Sequence, residues 1–147
     1  MRRSRQMDTL VRLAAMAERN ARAGLAGANQ DLLRKNVQQR QLESYEAEYG
    51  EAWLEAGRGG VSGPAAAGLA AFRVSLGNTL SAHQSSVSAA AESRDAQARR
   101  WQGMRQQLRV FTDLAERSRR DEDRERERRL QKSIDELSAR PKGPALV

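Results

Sequence analysis

The sequence has no cysteine and a single histidine, His83. Without thiols, disulfides, thiolate–metal sites and cysteine nucleophiles are excluded, and one imidazole does not make a histidine-built metal site. Aromatic residues are only 4% of the 147 residues and charged residues are 31%. This composition is poor for a globular core and typical of long helices with a narrow apolar seam. We expect no cofactor and no metal.

Long hydrophobic runs are also missing. The basic start Met1-Arg2-Arg3-Ser4-Arg5 is not followed by the apolar run of a signal peptide, and no stretch has the length of a membrane span. We therefore expect a cytoplasmic protein. The net charge of +7 favours acidic partners. Because the charges are of mixed sign rather than one stripe, no nucleic acid is expected as a partner.

Glycine is concentrated where the chain must bend. Four of the eleven glycines lie between Gly57 and Gly63, and Pro64 then suits the first turn of a new helix, capped by Ser62 or Gly63. The sequence predicts one domain with a helix over about 3–57, a turn over about 58–63, a helix over about 64–139 and a disordered tail over about 141–147. Because Gly24, Gly27 and Asn29 lower helix propensity, a kink or mobile segment near 24–29 is plausible.

Apolar residues on both sides of the turn recur at alternating spacings of three and four, the heptad pattern of a coiled coil. In the first helix these positions are Leu10, Leu13 or Ala14, Ala17, Ala21, Leu25, Ala28, Leu32, Leu42, Tyr45, Tyr49 and Ala52. In the second helix they are Leu69, Phe72, Leu76, Thr79 or Leu80, His83, Val87, Ala90, Arg94, Ala98, Trp101, Met104, Leu108, Phe111 and Leu114 or Ala115.

The two seams match as an antiparallel pair. Residues that face each other across such a hairpin have numbers adding to about 121. The rule pairs Tyr49 with Phe72, Tyr45 with Leu76, Gln38 with His83, Leu13 with Leu108 and Leu10 with Phe111. We therefore predict an all-α fold, a long two-helix antiparallel coiled-coil hairpin whose second helix overhangs from about residue 118.

The overhang begins with a charged run, residues 117–129, in which ion pairs such as Glu122 with Arg126, and Glu125 with Arg128 or Arg129, are expected. Beyond this run, a short apolar face has nothing in the chain left to cover it. It consists of Leu130, Ile134 and Leu137.

No catalytic pattern is present. The glycine-rich stretch lacks the Lys-Ser/Thr ending of a phosphate-binding loop, and it does not follow a strand. Asp135 and Glu136 are adjacent on a helix, so they do not face each other as a carboxylate pair. The chain is not expected to be an enzyme, because a slender hairpin offers no concave site.

Several spacings together resemble the FliJ family, a small soluble component of the flagellar type III protein export apparatus. The matching residues are Gln38-x3-Leu42-x2-Tyr45-x3-Tyr49, then Phe72-x3-Leu76-x6-His83-Gln84, Trp101, Leu108 and Leu114, and finally Gln131-Lys132-x2-Asp135-Glu136-x3-Arg140. The resemblance implies a non-enzymatic stalk like the gamma subunit of rotary ATP synthases, seated in the hexameric ring of the export ATPase FliI and promoting its assembly. It also implies contact with the cytoplasmic domain of the export gate protein FlhA, escort of export chaperones, and peripheral association with the inner-membrane apparatus through these partners.

The resemblance maps the gate-binding surface onto Gln38, Leu42, Tyr45, Tyr49, Phe72, Leu76 and His83. Leu42 and Leu76 read more simply as seam residues. Three aromatic rings overfill a two-helix seam, so we expect Tyr45, Tyr49 and Phe72 to be partly exposed interface anchors. His83 opposite Gln38 is either a polar layer that sets the register or a binding contact.

The resemblance to a stalk implies that the ends far from the turn enter the ATPase ring. The first 24 residues carry a net positive charge, which suits an acidic collar. The candidate ring-binding residues are Arg3, Arg5, Leu10, Leu13, Leu130 and Ile134. Two alternatives stay open at this point: the equivalent stalk of a virulence type III secretion system, and a basic coiled-coil protein that binds nucleic acid.

Overall fold

The computed structural model describes residues 2–60 and 63–139, which form two helices. Helix α1 spans Arg2–Arg58 and helix α2 spans Pro64–Ala139. The helices pack against each other as a hairpin, and α2 is the longer. This confirms the predicted all-α hairpin. The predicted tail over about 141–147 lies outside the described residues.

Glycine makes the turn possible at two positions. Gly60 and Gly63 have φ angles of 76° and 72°, in the left-handed region that other residues rarely adopt. The carbonyl of Gly63 accepts the first bond of α2, from the Ala67 amide at 3.2 Å. Gly63 is therefore the N-cap, one of the two residues predicted for that role, and Pro64 occupies the first helical position.

The most deeply buried seam positions hold small residues. The buried apolar side chains of the described chain are Ala14, Ala21, Ala90 and Ala115. The prediction that Leu10 lies in the seam is wrong, because Leu10 is exposed. The heptad pattern left Leu13 and Ala14 as alternatives, and Leu13 is 57% exposed. Ala14 takes the seam position that the heptad pattern left open between itself and Leu13. The pattern misled because it favoured the largest apolar residue nearby, whereas a buried alanine lets the helix backbones approach closely.

Contacts group the described chain into two units, each containing a segment of both helices. The terminal unit holds residues 2–19 and 102–139, and the central unit spans Asn20–Trp101. In the central unit α1 remains helical through the predicted weak segment at 24–29. Gly24 has a packing reason there, since a Cβ at this position would lie 2.8 Å from Oε1 of Gln97 on α2. Among the described residues, neither helix contains a stretch apolar and long enough to cross a membrane.

Candidate protein-binding surfaces

An aromatic pair dominates the central unit near the turn. The rings of Tyr49 and Phe72 lie with centroids 4.6 Å apart and planes inclined by 54°. Tyr45, Tyr49 and Phe72 are 55%, 40% and 45% exposed, as the sequence predicted for aromatics that overfill a two-helix seam. The contact also confirms the predicted pairing of Tyr49 with Phe72. Half-exposed rings held against each other present apolar area at low entropic cost to a partner.

The remaining residues of this predicted surface divide into two kinds. Leu42 and Leu76 are half-buried, in accordance with their reading as seam residues. Gln38 is exposed and does not form the predicted polar layer with His83. His83 instead hydrogen-bonds through Nε2 to the backbone carbonyl of Lys35, at 2.9 Å.

The buried glutamine of this segment is the next residue along the helix, and the role of exposed Gln38 in gate binding stays a prediction. Gln39 is the buried residue, 9% exposed, and its amide donates to Glu43 at 3.2 Å. Seam positions drift relative to a strict heptad over many turns, because 3.6 residues per turn does not divide seven. The rule that facing residues have numbers adding to about 121 therefore does not decide which of two adjacent glutamines is buried.

Sequence reasoning missed a shallow apolar hollow beside the turn. Its volume is about 150 Å³, and it is lined by Trp53, Ala56, Gly57, Ala66 and Leu69. The predicted seam position Ala52 is wrong, because Ala52 is exposed, whereas Trp53 is half-buried. Trp53 follows Tyr49 by four residues, so it continues the heptad rhythm. That spacing is the signal that could have found it.

In the terminal unit two polar contacts join the start of α1 to α2. Arg119 donates to the Asp8 carboxylate at 2.6 Å, and the backbone amide of Ser4 donates to Oε1 of Glu122 at 3.2 Å. The amides in the first turn of a helix have no partner within that helix, so Glu122 caps α1 from outside. A carboxylate there also interacts favourably with the helix dipole. We call these two contacts the polar clasp.

The clasp alters the ionisation of both its charged α2 residues. The pKa of Arg119 is raised, first by its hydrogen bond to Asp8 and then by the charge of that carboxylate. Hydrogen bonding to the chain's amino-terminal ammonium group, and next to Ser4, lowers the pKa of Glu122 to about 2. Both shifts favour the charged forms that make the clasp.

The clasp also corrects the predicted ion pairs of the charged run. Glu122 belongs to the clasp, and Arg126 lies 3.9 Å from Asp123 instead of pairing with Glu122. The predicted pair of Glu125 with Arg129 is present at 2.8 Å. Because Ser4 reaches Glu122, the contacts of α1 extend slightly past residue 118, where the sequence placed the end of pairing.

The residues predicted to enter a ring are all exposed in the terminal unit. Arg3, Arg5, Leu10 and Leu13 lie at the surface of α1, and Leu130 and Ile134 at the surface of α2. Every described residue of α2 after Glu122 is exposed. The structure therefore leaves these side chains accessible, while their binding role stays a prediction.

Charge is distributed unequally along the chain. Residues 41–57 contain five glutamates and no lysine or arginine, whereas residues 117–129 contain seven arginines and five acidic residues. The turn-proximal aromatics therefore stand in an acidic neighbourhood, and the last part of α2 is rich in arginine. The described residues include no group of His, Asp or Glu side chains that could hold a metal ion.

These features define a class: an α-helical hairpin with exposed apolar and charged surfaces. The family model for the flagellar FliJ protein matches residues 3–141. The chain belongs to the FliJ family, and its family makes it a component of the flagellar export apparatus. No curated protein and no solved structure matches it significantly.

Proposed function

We propose that this chain is the non-enzymatic stalk and adaptor of the flagellar export apparatus. It promotes assembly of the hexameric export ATPase ring, links that ring to the cytoplasmic domain of the export gate, and escorts export chaperones. The observation that carries the proposal is the FliJ family match over nearly the whole described hairpin. Residues 3–141 include both surfaces that the proposal assigns.

Gate binding is assigned to the turn-proximal surface. Tyr45, Tyr49 and Phe72 supply exposed aromatic area, and the fixed contact between Tyr49 and Phe72 reduces the entropy lost when a partner binds. Aromatic side chains of this kind are the usual anchors of protein interfaces. Leu42 and Leu76 support the rings from the seam, and His83 acts through its bond to Lys35 by holding α2 in register.

Ring binding is assigned to the terminal unit. Arg3 and Arg5 have no carboxylate at ion-pair distance among the described residues, so their charge is available to an acidic partner. Leu10 and Leu13 on α1, with Leu130 and Ile134 on α2, supply apolar contacts. A basic surface of this kind accelerates encounter with an acidic collar, and its effect falls as salt rises.

The decisive experiment measures the hydrolysis rate and assembly state of the matching export ATPase with and without this protein, at two salt concentrations. Stimulated hydrolysis together with ring formation, weaker at high salt, is the expected result. An ATPase that neither assembles nor accelerates when the added hairpin is folded would contradict the proposal.

A pair of variants assigns the effect to the predicted residues. Replacing Leu130 and Ile134 by Ser should reduce stimulation of the export ATPase, because it removes apolar side chains that the proposal assigns to ring binding. Both side chains are exposed, so the hairpin should remain folded. The matched control replaces Leu33, which is equally exposed but lies in the central unit. An equal loss of ATPase stimulation in both variants would contradict the assignment of ring binding to the terminal unit.

A further inference from the structure

A row of arginines lies along one face of α2 in the terminal unit. Arg117, Arg120, Arg124 and Arg128 follow one another at spacings of three, four and four, so they share one helix face. We call them the arginine row. Buried Ala115 marks the side of α2 that faces α1, and Arg117, two residues on, points about 200° round the helix from it. The row is therefore directed away from α1.

Most of the arginine row lacks an internal partner. Arg120 lies 3.5 Å from Glu116, but Arg117, Arg124 and Arg128 have no carboxylate at ion-pair distance among the described residues. By contrast Arg119, Arg126 and Arg129 in the same run are all paired. The side chains free for a partner are thus those on the outer face.

The acidic residues next to the arginine row limit the class of partner that it can bind. Asp121 and Glu125 border it and would repel a continuous polyanion such as a nucleic acid or an anionic membrane. A partner helix with single carboxylates at matching positions meets the arginines without meeting these acids. The chemistry therefore favours an acidic helix with charges spaced three and four residues apart.

The chain itself contains such a helix face. Glu48, Glu51 and Glu55, the glutamate row, are exposed and have no basic side chain at ion-pair distance among the described residues. Their spacing of three and four equals that of Arg117, Arg120 and Arg124. Glu51 and Glu55 each lie two positions from half-buried Trp53, so the glutamate row is also directed away from the partner helix.

We propose that the arginine row of one copy binds the glutamate row of a second copy of this chain. With α1 of one copy running parallel to α2 of the other, Glu48 meets Arg117, Glu51 meets Arg120 and Glu55 meets Arg124. Because each row is directed away from its own partner helix, the pairing forms between copies and not within one. It goes beyond the export function and covers part of the terminal unit, so self-association and ring binding compete.

The test is sedimentation velocity of the full chain over a wide concentration range, at about 50 mM and about 500 mM salt. Exposed ion pairs are weak singly and strongly screened, so association should appear at low salt and weaken at least roughly tenfold at high salt. A monomer at every concentration in low salt would overturn the proposal.

Charge reversal gives the sharper test. E48R/E51R/E55R and R117E/R120E/R124E should each fail to self-associate, and mixing the two variants should restore association between them. Far-UV circular dichroism checks that both stay helical. If a reversed variant unfolds, E48Q/E51Q/E55Q and R117Q/R120Q/R124Q carry the same test through loss of association. If any of these variants alone self-associates as strongly as the wild-type protein, the proposal is contradicted.

A charge-matched control separates the row from net charge. A47E/E48A/E51A/A52E keeps composition and net charge but moves two carboxylates about 100° round α1. Ala47 and Ala52 are exposed, so the substitutions displace no packing. Loss of association in this variant supports the row, whereas unchanged association would show that only overall charge matters and overturn it. None of these measurements involves the export ATPase.

Discussion

The two units of the hairpin have similar seams, but the other contacts between their helices differ. Both are centred on alanine, with Ala21 and Ala90 buried in the central unit and Ala14 and Ala115 in the terminal unit. The central unit adds an aromatic contact and the bond from His83 to a backbone carbonyl. The terminal unit has the polar clasp at the outer end of its pairing, and every described residue of α2 after Glu122 is exposed.

This difference shows how a thin seam leaves side chains available for partners. An alanine seam buries little apolar area, so large apolar residues that would enter the core of a globule remain at the surface. In the central unit these include aromatics beside glutamates as well as aliphatics, and in the terminal unit they are aliphatics, some of them beside arginines. The two surfaces therefore differ in chemistry.

The largest expected effect is on gate binding by the central unit. Replacing Tyr45, Tyr49 and Phe72 together by Ala should weaken binding to the export gate domain by at least about 100-fold, because exposed aromatic anchors carry most of an interface's energy. Isothermal titration calorimetry measures the loss. The control is Leu54→Ala, at an exposed position about 140° round α1 from Tyr49.

The same triple variant tests whether these rings bind or hold the hairpin together. Far-UV helical signal should remain near the wild-type value, since all three rings are about half exposed. A large fall in helicity would make them core residues and remove the distinction between surface and seam in this unit.

A smaller effect is expected from enlarging the seam. Ala21 is completely buried, and Ala21→Leu should lower the free energy of unfolding by about 1–3 kcal/mol through overpacking. Ala23→Leu, at an exposed position of the same helix, should change it little. Urea denaturation monitored at 222 nm compares the two, and equal midpoints would show that the helices do not approach closely at Ala21.

Replacing glycines in helix α1 of the central unit by alanine should raise the free energy of unfolding by about 1 kcal/mol or less. Gly27 has no neighbour within 4 Å of an added Cβ, so Gly27→Ala should stabilise α1 by roughly 0.5–1 kcal/mol through helix propensity. Gly24→Ala should stabilise less, because its Cβ must displace the Gln97 side chain. Thermal melts rank the two variants. A larger gain at Gly24 would show that Gln97 does not pack there.

The smallest effect concerns the polar clasp. Glu122 has a pKa of about 2, below its ordinary value of 4.5, so its contact is fully formed above about pH 4.5 and is lost as pH falls towards 2. An NMR titration of its carboxyl carbon should show the low midpoint, with the Ser4 amide proton following it. A midpoint near 4.5 would mean that the start of α1 is not held on α2. Glu122→Gln should abolish the response of the Ser4 amide.

Periodicity predicted the hairpin well because heptad spacing and a glycine cluster are local properties of the chain. It also predicted the exposure of Tyr45, Tyr49 and Phe72, since three rings exceed the volume of a two-helix seam. It did not decide between neighbouring residues that compete for one position, as with Leu13 and Ala14, or Gln38 and Gln39. A shift of one residue turns a side chain by about 100°, and hydrophobicity alone does not resolve that shift over many turns.

By itself the sequence determined that the chain forms two long helices joined near residue 60, with glutamates before the turn and arginines after residue 116. These features depend on propensity, capping and composition, which act within a few residues. Only the tertiary structure decided that alanines form the seam, that His83 bonds to Lys35, and that Glu122 caps the start of α1. Those contacts depend on how the two helices are rotated and how far apart their backbones lie. Residues far apart in the chain determine this rotation and separation jointly.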